Sequence, residues 1–193
     1  MNTPLRIIRA AAVAAAVGTL GYLTVTSVHQ ATQPIATAVP ASNIGRVLAA
    51  ASRQAAPDLS GATLTGASLD TASWKDHVIV VNFWGSWCTP CRVEASQLAH
   101  TANDTAGLGV KFVGVDVRDN PAAGLAFERE FGIPYPSFND PNNALAARFG
   151  ALIPVATPET FVFDTRGRVA AVFIGATTFN NLDPVIRQVV ELG

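Results

Sequence analysis

The 193-residue chain carries 13 basic and 14 acidic residues for a formal net charge of -1, and 49% of it is hydrophobic. That length and composition suit one globular domain with an additional segment. The basic residues are scattered instead of gathered into a stripe, which removes any support for a nucleic-acid-binding face.

The additional segment stands first. Residues 10–28 (AAAVAAAVGTLGYLTVTSV) hold no charge, follow Arg6 and Arg9, and have about the length needed to cross a bilayer. Basic residues directly before such a run predict a signal anchor over residues 1–28, with the arginines in the cytoplasm and the rest of the chain outside. Ala36-Thr37-Ala38 offers a small-x-small cleavage site, so a secreted or periplasmic form cut near Ala38 is the alternative; the site lies further past the apolar run than is usual. No cysteine stands directly after the run, which excludes lipoprotein attachment there. Residues 29–56 are rich in Ala, Thr, Pro, Ser and Gln without a sustained apolar period, which predicts a flexible tether, with a short helix possible over IGRVLAAASRQA (44–55).

A folded domain is expected over residues 57–193. HVIVVNFW (77–84) is a near-continuous β-branched run, as in a strand buried on both faces. Gly85 and Ser86 turn the chain, Pro90 suits the first turn of a helix, and Val93, Leu98 and Ala99 give that helix an apolar side until Asn103 and Gly107. VKFVGVDV (110–117) is a second buried strand, so the crossover implies a parallel pair. Asn120-Pro121 opens a helix over AAGLAFEREF, and Asp140-Pro141 another over NNALAARF with Gly150 as its stop. ETFVFD (159–164) and RVAAVFIG (168–175) form a hairpin across Thr165–Gly167, and Asp183-Pro184 opens a final helix with Val185, Ile186, Val189 and Val190 inward. The fold class is α/β, a mixed central sheet with helices on both faces.

The only two cysteines, Cys88 and Cys91, sit in WGSWCTPCRVEA (84–95), where a central strand gives way to a helix. A helix N-terminus stabilises a thiolate, so Cys88 is expected to be the exposed nucleophile. Cys91 lies within one turn and can attack a mixed disulfide at Cys88, releasing a partner with both cysteines reduced. Pro90 fixes the turn between them. A purely structural disulfide across so short a loop would restrict the unfolded chain little. A zinc site normally takes four Cys or His ligands, and the histidines are only His29, His77 and His100. The redox pair itself calls for no metal and no cofactor.

WCTPC after VIVVNFW, then Arg92 and Glu94, then TPETFVFDTRGRV, resembles the membrane-anchored, extracytoplasmic thioredoxin-like proteins of the TlpA/ResA type. The resemblance covers about residues 57–193 and implies a thioredoxin-like fold with an extra β-α insertion, here about Asp116 to Asn139. It implies a thiol-disulfide oxidoreductase acting on cysteine pairs of exported proteins, with a membrane thiol donor or acceptor as redox partner. It also implies that Pro158 is a cis-proline facing the cysteines, that Thr157 offers its backbone to a substrate peptide, and that Trp87 lines the rim as a partner contact. Trp74 and Trp84 are expected in the core. Cytoplasmic thioredoxins place a buried aspartate in the strand before the cysteines, where this chain has Asn82; in the TlpA/ResA type a glutamate three residues after the second cysteine takes that part, here Glu94. Helical spacing puts Cys91 and Glu94 on one face, although a solvated helix glutamate is the common case. Glu159, in Pro-Glu-Thr, leans toward cytochrome c maturation and apocytochrome substrates. The alternative is a copper chaperone on the same fold, holding Cu(I) between the two thiolates; such relatives add a distant His or Met, but Met1 is the only methionine and no histidine follows His100. A peroxidatic cysteine in a Thr-x-x-Cys context is absent, since Gly-Ser-Trp precedes Cys88.

Overall fold

The computed structural model describes residues 45–193, so the expected anchor and its cleavage site lie outside the described residues. Among the described residues no helix is long and apolar enough to cross a membrane.

A short antiparallel hairpin, β1 (Ser60–Ala62) and β2 (Ser68–Asp70), precedes the main sheet. The sheet contains β3 (Ile79–Trp84), β4 (Lys111–Val117), β5 (Ser137–Asp140), β6 (Glu159–Phe163) and β7 (Val169–Ile174), in the order β5-β4-β3-β6-β7. β4 is parallel to both β3 and β5, while β6 runs antiparallel to β3 and β7. Every residue of β3 is buried, which explains its unbroken apolar sequence. Its alternation divides two cores. Val81 and Phe83 pack with Val115, Phe149 and Phe161 on one face, and Val80 packs with Leu98, Leu182 and Ile186 on the other. The first face is covered by α3 (Ala144–Ala147) and a following 3-10 turn at Gly150–Leu152, the second by α1 (Thr89–Thr105) and α4 (Phe179–Leu192). Between β4 and β5 runs α2 (Pro121–Phe131), capped by the Asn120 side chain, which accepts from Ala123 N at 3.0 Å. α2 and β5 are the expected insertion.

Five expectations need correction. Residues 45–56 are not a free tether: Gly45 N donates to Val172 O (2.7 Å), Leu48 N to Ala170 O (2.8 Å), and Val169 N to Gln54 O (2.8 Å), so this strap covers the outer edge of β7. An unpaired edge strand is a template for other chains, and the strap removes that edge. The expected helix in it shrinks to one 3-10 turn, Ala50–Ser52. α3 is a single turn instead of an eight-residue helix, because Asn143 is left-handed (φ 57°) and the Asp140 carboxylate caps Ala144, Leu145 and Ala146 instead. α4 begins at Phe179, ahead of Asp183-Pro184: the Gln97 side chain accepts from Phe179 N at 3.2 Å, and burial of Leu182 draws the first turn onto the sheet. Val93 is 69% exposed, since the buried face of α1 is Cys91, Glu94, Ala95, Leu98 and Ala102.

Candidate active site

Cys88 is the N-cap of α1. Its sulfur accepts from Cys91 N at 3.2 Å, and Pro90 occupies the first turn, where its missing N–H costs nothing. The two sulfurs form a disulfide with the Cα atoms 5.3 Å apart. The expectation of an exposed Cys88 needs correction: both residues are buried in this oxidised state, Cys88 at 3% exposure, because the disulfide turns its sulfur onto Cys91 among Leu64, Trp84, Ala95 and Phe127. Cys88 Sγ lies 3.5 Å from Thr157 O, and the Thr157–Pro158 peptide is cis. Chain topology brings these together: Phe83 pairs with Glu159, so the start of β6 lies beside the end of β3, where the cysteine loop begins. The Glu159 carboxylate is buried and accepts from Val155 N (2.8 Å) and Ala156 N (3.1 Å), which shapes the loop leading to the cis bond.

Trp87 stands at the rim, 49% exposed, while Trp84 is buried and stacked on Phe127; Trp74 is partly buried against the core. The Trp87 indole N–H donates to Val117 O at 3.2 Å, and the Arg118 guanidinium lies 4.7 Å from its ring centre. Gly85 is required here, because a Cβ would strike the Trp87 ring nitrogen.

Glu94 is not a solvated helix residue. It is 1% exposed, one turn beyond Cys91 on the same buried face of α1. Oε1 accepts from Asn82 Nδ2 (2.9 Å) and Oε2 from Thr177 N (2.9 Å), and Asn82 Nδ2 also donates to Thr160 Oγ1 (3.0 Å). Burial pushes the Glu94 carboxyl up to about 7, against the pull of both hydrogen bonds. A cavity of about 10 Å³, room for about one water, is lined by Asn82, Cys91 and Tyr135. Burial, then the charges of Glu94 and Glu128, raises the Tyr135 hydroxyl. Such an arrangement can pass a proton between Cys91 and a carboxylate near neutral pH.

Asp116 is a further acid that sequence reasoning missed. Fully buried on β4, its carboxylate accepts from no N–H or hydroxyl group among the described residues; burial, then the charge of Asp119 and a hydrogen bond between the two carboxyl groups that needs a shared proton, then the charge of Glu128, raise it to about 8. Asp119 in turn accepts from Ser86 N (2.7 Å), in the cysteine loop. The signal was available in VKFVGVDV: an acidic residue inside a strand buried on both faces. Among the described residues, no group of three or more His, Cys, Asp or Glu lies together as a metal site.

The AhpC/TSA family model matches residues 52–172. The chain belongs to the AhpC/TSA family. Within it, the chain is 37% identical over 135 residues to the thiol:disulfide interchange protein DsbE homolog of Paracoccus denitrificans, covering 68% of this chain and 66% of that protein. It is 27% identical over 113 residues to the thiol-disulfide oxidoreductase ResA of Bacillus subtilis, covering 58% and 62%. The chain thus spans slightly less than two thirds of the length of these two relatives. A crystal structure of a secreted thiol-disulfide isomerase from Corynebacterium glutamicum superposes with a TM-score of 0.73 at 30% identity, covering 80% of this chain and 96% of that one. The fold of this AhpC/TSA member is thioredoxin-like, as its motifs led one to expect.

Proposed function

We propose that the protein is a thiol-disulfide oxidoreductase acting outside the cytoplasm on cysteine pairs of exported proteins. The observation that carries this reading is Cys88 capping α1 with its sulfur on Cys91 N, opposite the cis Thr157–Pro158 bond. In the reduced protein the helix N-terminus favours the Cys88 thiolate, which attacks one sulfur of a partner disulfide. A Cys88–partner bond forms, the partner bond breaks, and its second sulfur leaves as a thiolate with the electron pair. Cys91 gives its proton to Glu94 and attacks Cys88, closing the Cys88–Cys91 disulfide and expelling the second partner thiolate. Trp87, Pro90, Thr157 and Pro158 form the surface that receives the partner. The Pro158-Glu159-Thr160 sequence favours the haem-attachment cysteines of apocytochromes among the substrates, with a membrane thiol protein as redox partner. A reduction potential near that of thioredoxin makes the protein a reductant, and one near that of DsbA an oxidant.

Cys91→Ser is expected to accumulate mixed disulfides with partner proteins on non-reducing gels, and Cys88→Ser far fewer. Faster labelling of Cys91 than Cys88 by iodoacetamide in the reduced protein would reverse these roles.

Residues 1–28 serve, in the same reading, as an uncleaved single-pass anchor with the domain on the extracytoplasmic side. N-terminal sequencing of the exported protein is expected to find the apolar run intact; a mature form beginning at Val39 refutes the anchor and leaves a secreted or periplasmic protein.

A further inference from the structure

Beside Thr157, on the side away from α1, a groove of about 320 Å³ runs between the loop after β4 and the loop before β6. Its walls include Val117, Arg118, Ile153, Val155 and Thr157. Ile153 and Val155 are large apolar side chains turned to solvent, which is unusual enough in a cluster to mark a contact surface. Arg118 supplies a cation at this wall. Its backbone is left-handed (φ 53°), a conformation few residues other than glycine adopt, and its guanidinium lies over Trp87. No carboxylate among the described residues forms an ion pair with it. The nearby acids are engaged elsewhere, Asp119 with Ser86 N and Asn120 N, and Glu159 with Val155 N and Ala156 N.

We propose that this groove selects partners by an extended peptide segment next to the target cysteine, with an apolar side chain on Ile153 and Val155 and a carboxylate facing Arg118. The inference rests on the exchange chemistry proposed above and adds the residues that decide which cysteine is attacked. An extended chain advances about 3.3 Å per residue, so a carboxylate within roughly three residues of a cysteine held at Cys88 stays close to this wall. A fixed cation there favours acidic segments and disfavours basic ones at encounter as well as in the bound state.

The test uses the Cys91→Ser full-length protein and synthetic peptides whose single cysteine carries a 2-thiopyridyl disulfide. Each peptide has a leucine near the cysteine and Glu, Gln or Lys at one to three residues to either side. Attack by the Cys88 thiolate forms the Cys88–peptide disulfide and breaks the peptide–pyridyl S–S bond, whose electron pair leaves with pyridine-2-thiolate; this takes a proton from water to give 2-thiopyridone, whose absorbance reports the rate. At low ionic strength the best Glu peptide is expected to react about threefold faster than its Gln counterpart, and the Lys peptide slower than both, the range of an exposed ion pair. Arg118→Gln should bring the Glu-to-Gln ratio close to one, Arg118→Glu should invert it, and salt at about 0.5 M should flatten it. Because the readout is a ratio, a change in Cys88 reactivity common to all peptides cancels. Equal rates for Glu, Gln and Lys peptides, or discrimination that survives Arg118→Gln, overturns the role of the groove while leaving exchange intact. Release of no thiopyridone from any peptide overturns the exchange reading itself, and this inference with it.

Discussion

Glu94→Gln is expected to slow disulfide exchange about 100-fold near neutral pH, the loss typical of a removed acid-base group. The substitution keeps the shape and removes the titrating carboxyl. It is tolerated by the fold for a specific reason: the carboxylate accepts from Asn82 Nδ2 and from Thr177 N, and a half-turn of the Asn82 amide presents Oδ1 instead. The new amide then donates to Asn82 while its oxygen still accepts from Thr177 N, and the Thr160 hydroxyl can donate where it accepted before. The pH dependence identifies the group. The Glu94 pKa is raised from 4.5 to about 7 by burial, so the protonated form is the one favoured by folding. That contribution is complete below pH 4.5 and is lost as pH rises to about 7. Wild type should therefore lose stability across this window and show a rate limb near pH 7, and Glu94→Gln should show neither. Urea melts and exchange rates from pH 5 to 9 measure both. An unchanged rate profile in the variant would leave the Cys91 proton to water.

Much of the site was legible because its signals are local. The cysteine pair, the first turns of the helix that follows it and the Cys91–Glu94 spacing all lie within the twelve residues 84–95, where strand and helix periodicities place side chains directly. The burial of Glu94 was not legible, because its partners come from β3 and from the loop before α4, Asn82 and Thr177. Helix boundaries failed for the same reason. The start of α4 depends on Gln97, 82 residues earlier in the chain, whereas Asp183-Pro184 is a local start signal that lost to the burial of Leu182. The strap at residues 45–56 carries almost no apolar periodicity, since backbone hydrogen bonds to β7 hold it and Leu48 is its one fully buried apolar side chain, with Val47 and Ala56 packed partly buried beside the cores. Its other anchor is an ion pair between residues 111 positions apart, which no reading of spacing can find.

That ion pair sets the second large expected effect: Asp164→Asn should destabilise the domain by about 3–5 kcal/mol, the cost of leaving a buried charge without its partner. Arg53 and Asp164 have side chains 3% and 0% exposed, joined at 2.9 Å. Asp164 also accepts from Arg168 Nε (2.9 Å) and from Arg166 N and Arg168 N, so it closes the β6–β7 hairpin as well as holding the strap. The two partners are unequal. Without Arg53, Asp164 keeps Arg168 and two backbone donors; without Asp164, Arg53 keeps only the carbonyl of Leu48. Asp164→Asn should therefore cost clearly more than Arg53→Leu. Burial alone would raise the Asp164 carboxyl, but its bonds from Arg53, Arg168 and Arg166 hold it below its usual 3.8. Its stabilisation is thus present above pH 3.8 and is lost as pH falls through the lowered value, so wild type should show an acid limb that Asp164→Asn lacks. At about 2–4 °C per kcal/mol for a domain of this size, the melting temperature should drop by roughly 6–20 °C. Phe163, next to Asp164, pairs with Ile79 at the far end of β3 from the cysteine loop. In the folded variant Cys88 should consequently exchange disulfides at the wild-type rate. A melting temperature within about 2 °C of wild type, less than one kcal/mol on that scale, would mean that Arg53 finds water or another acceptor and that the backbone hydrogen bonds alone secure the strap.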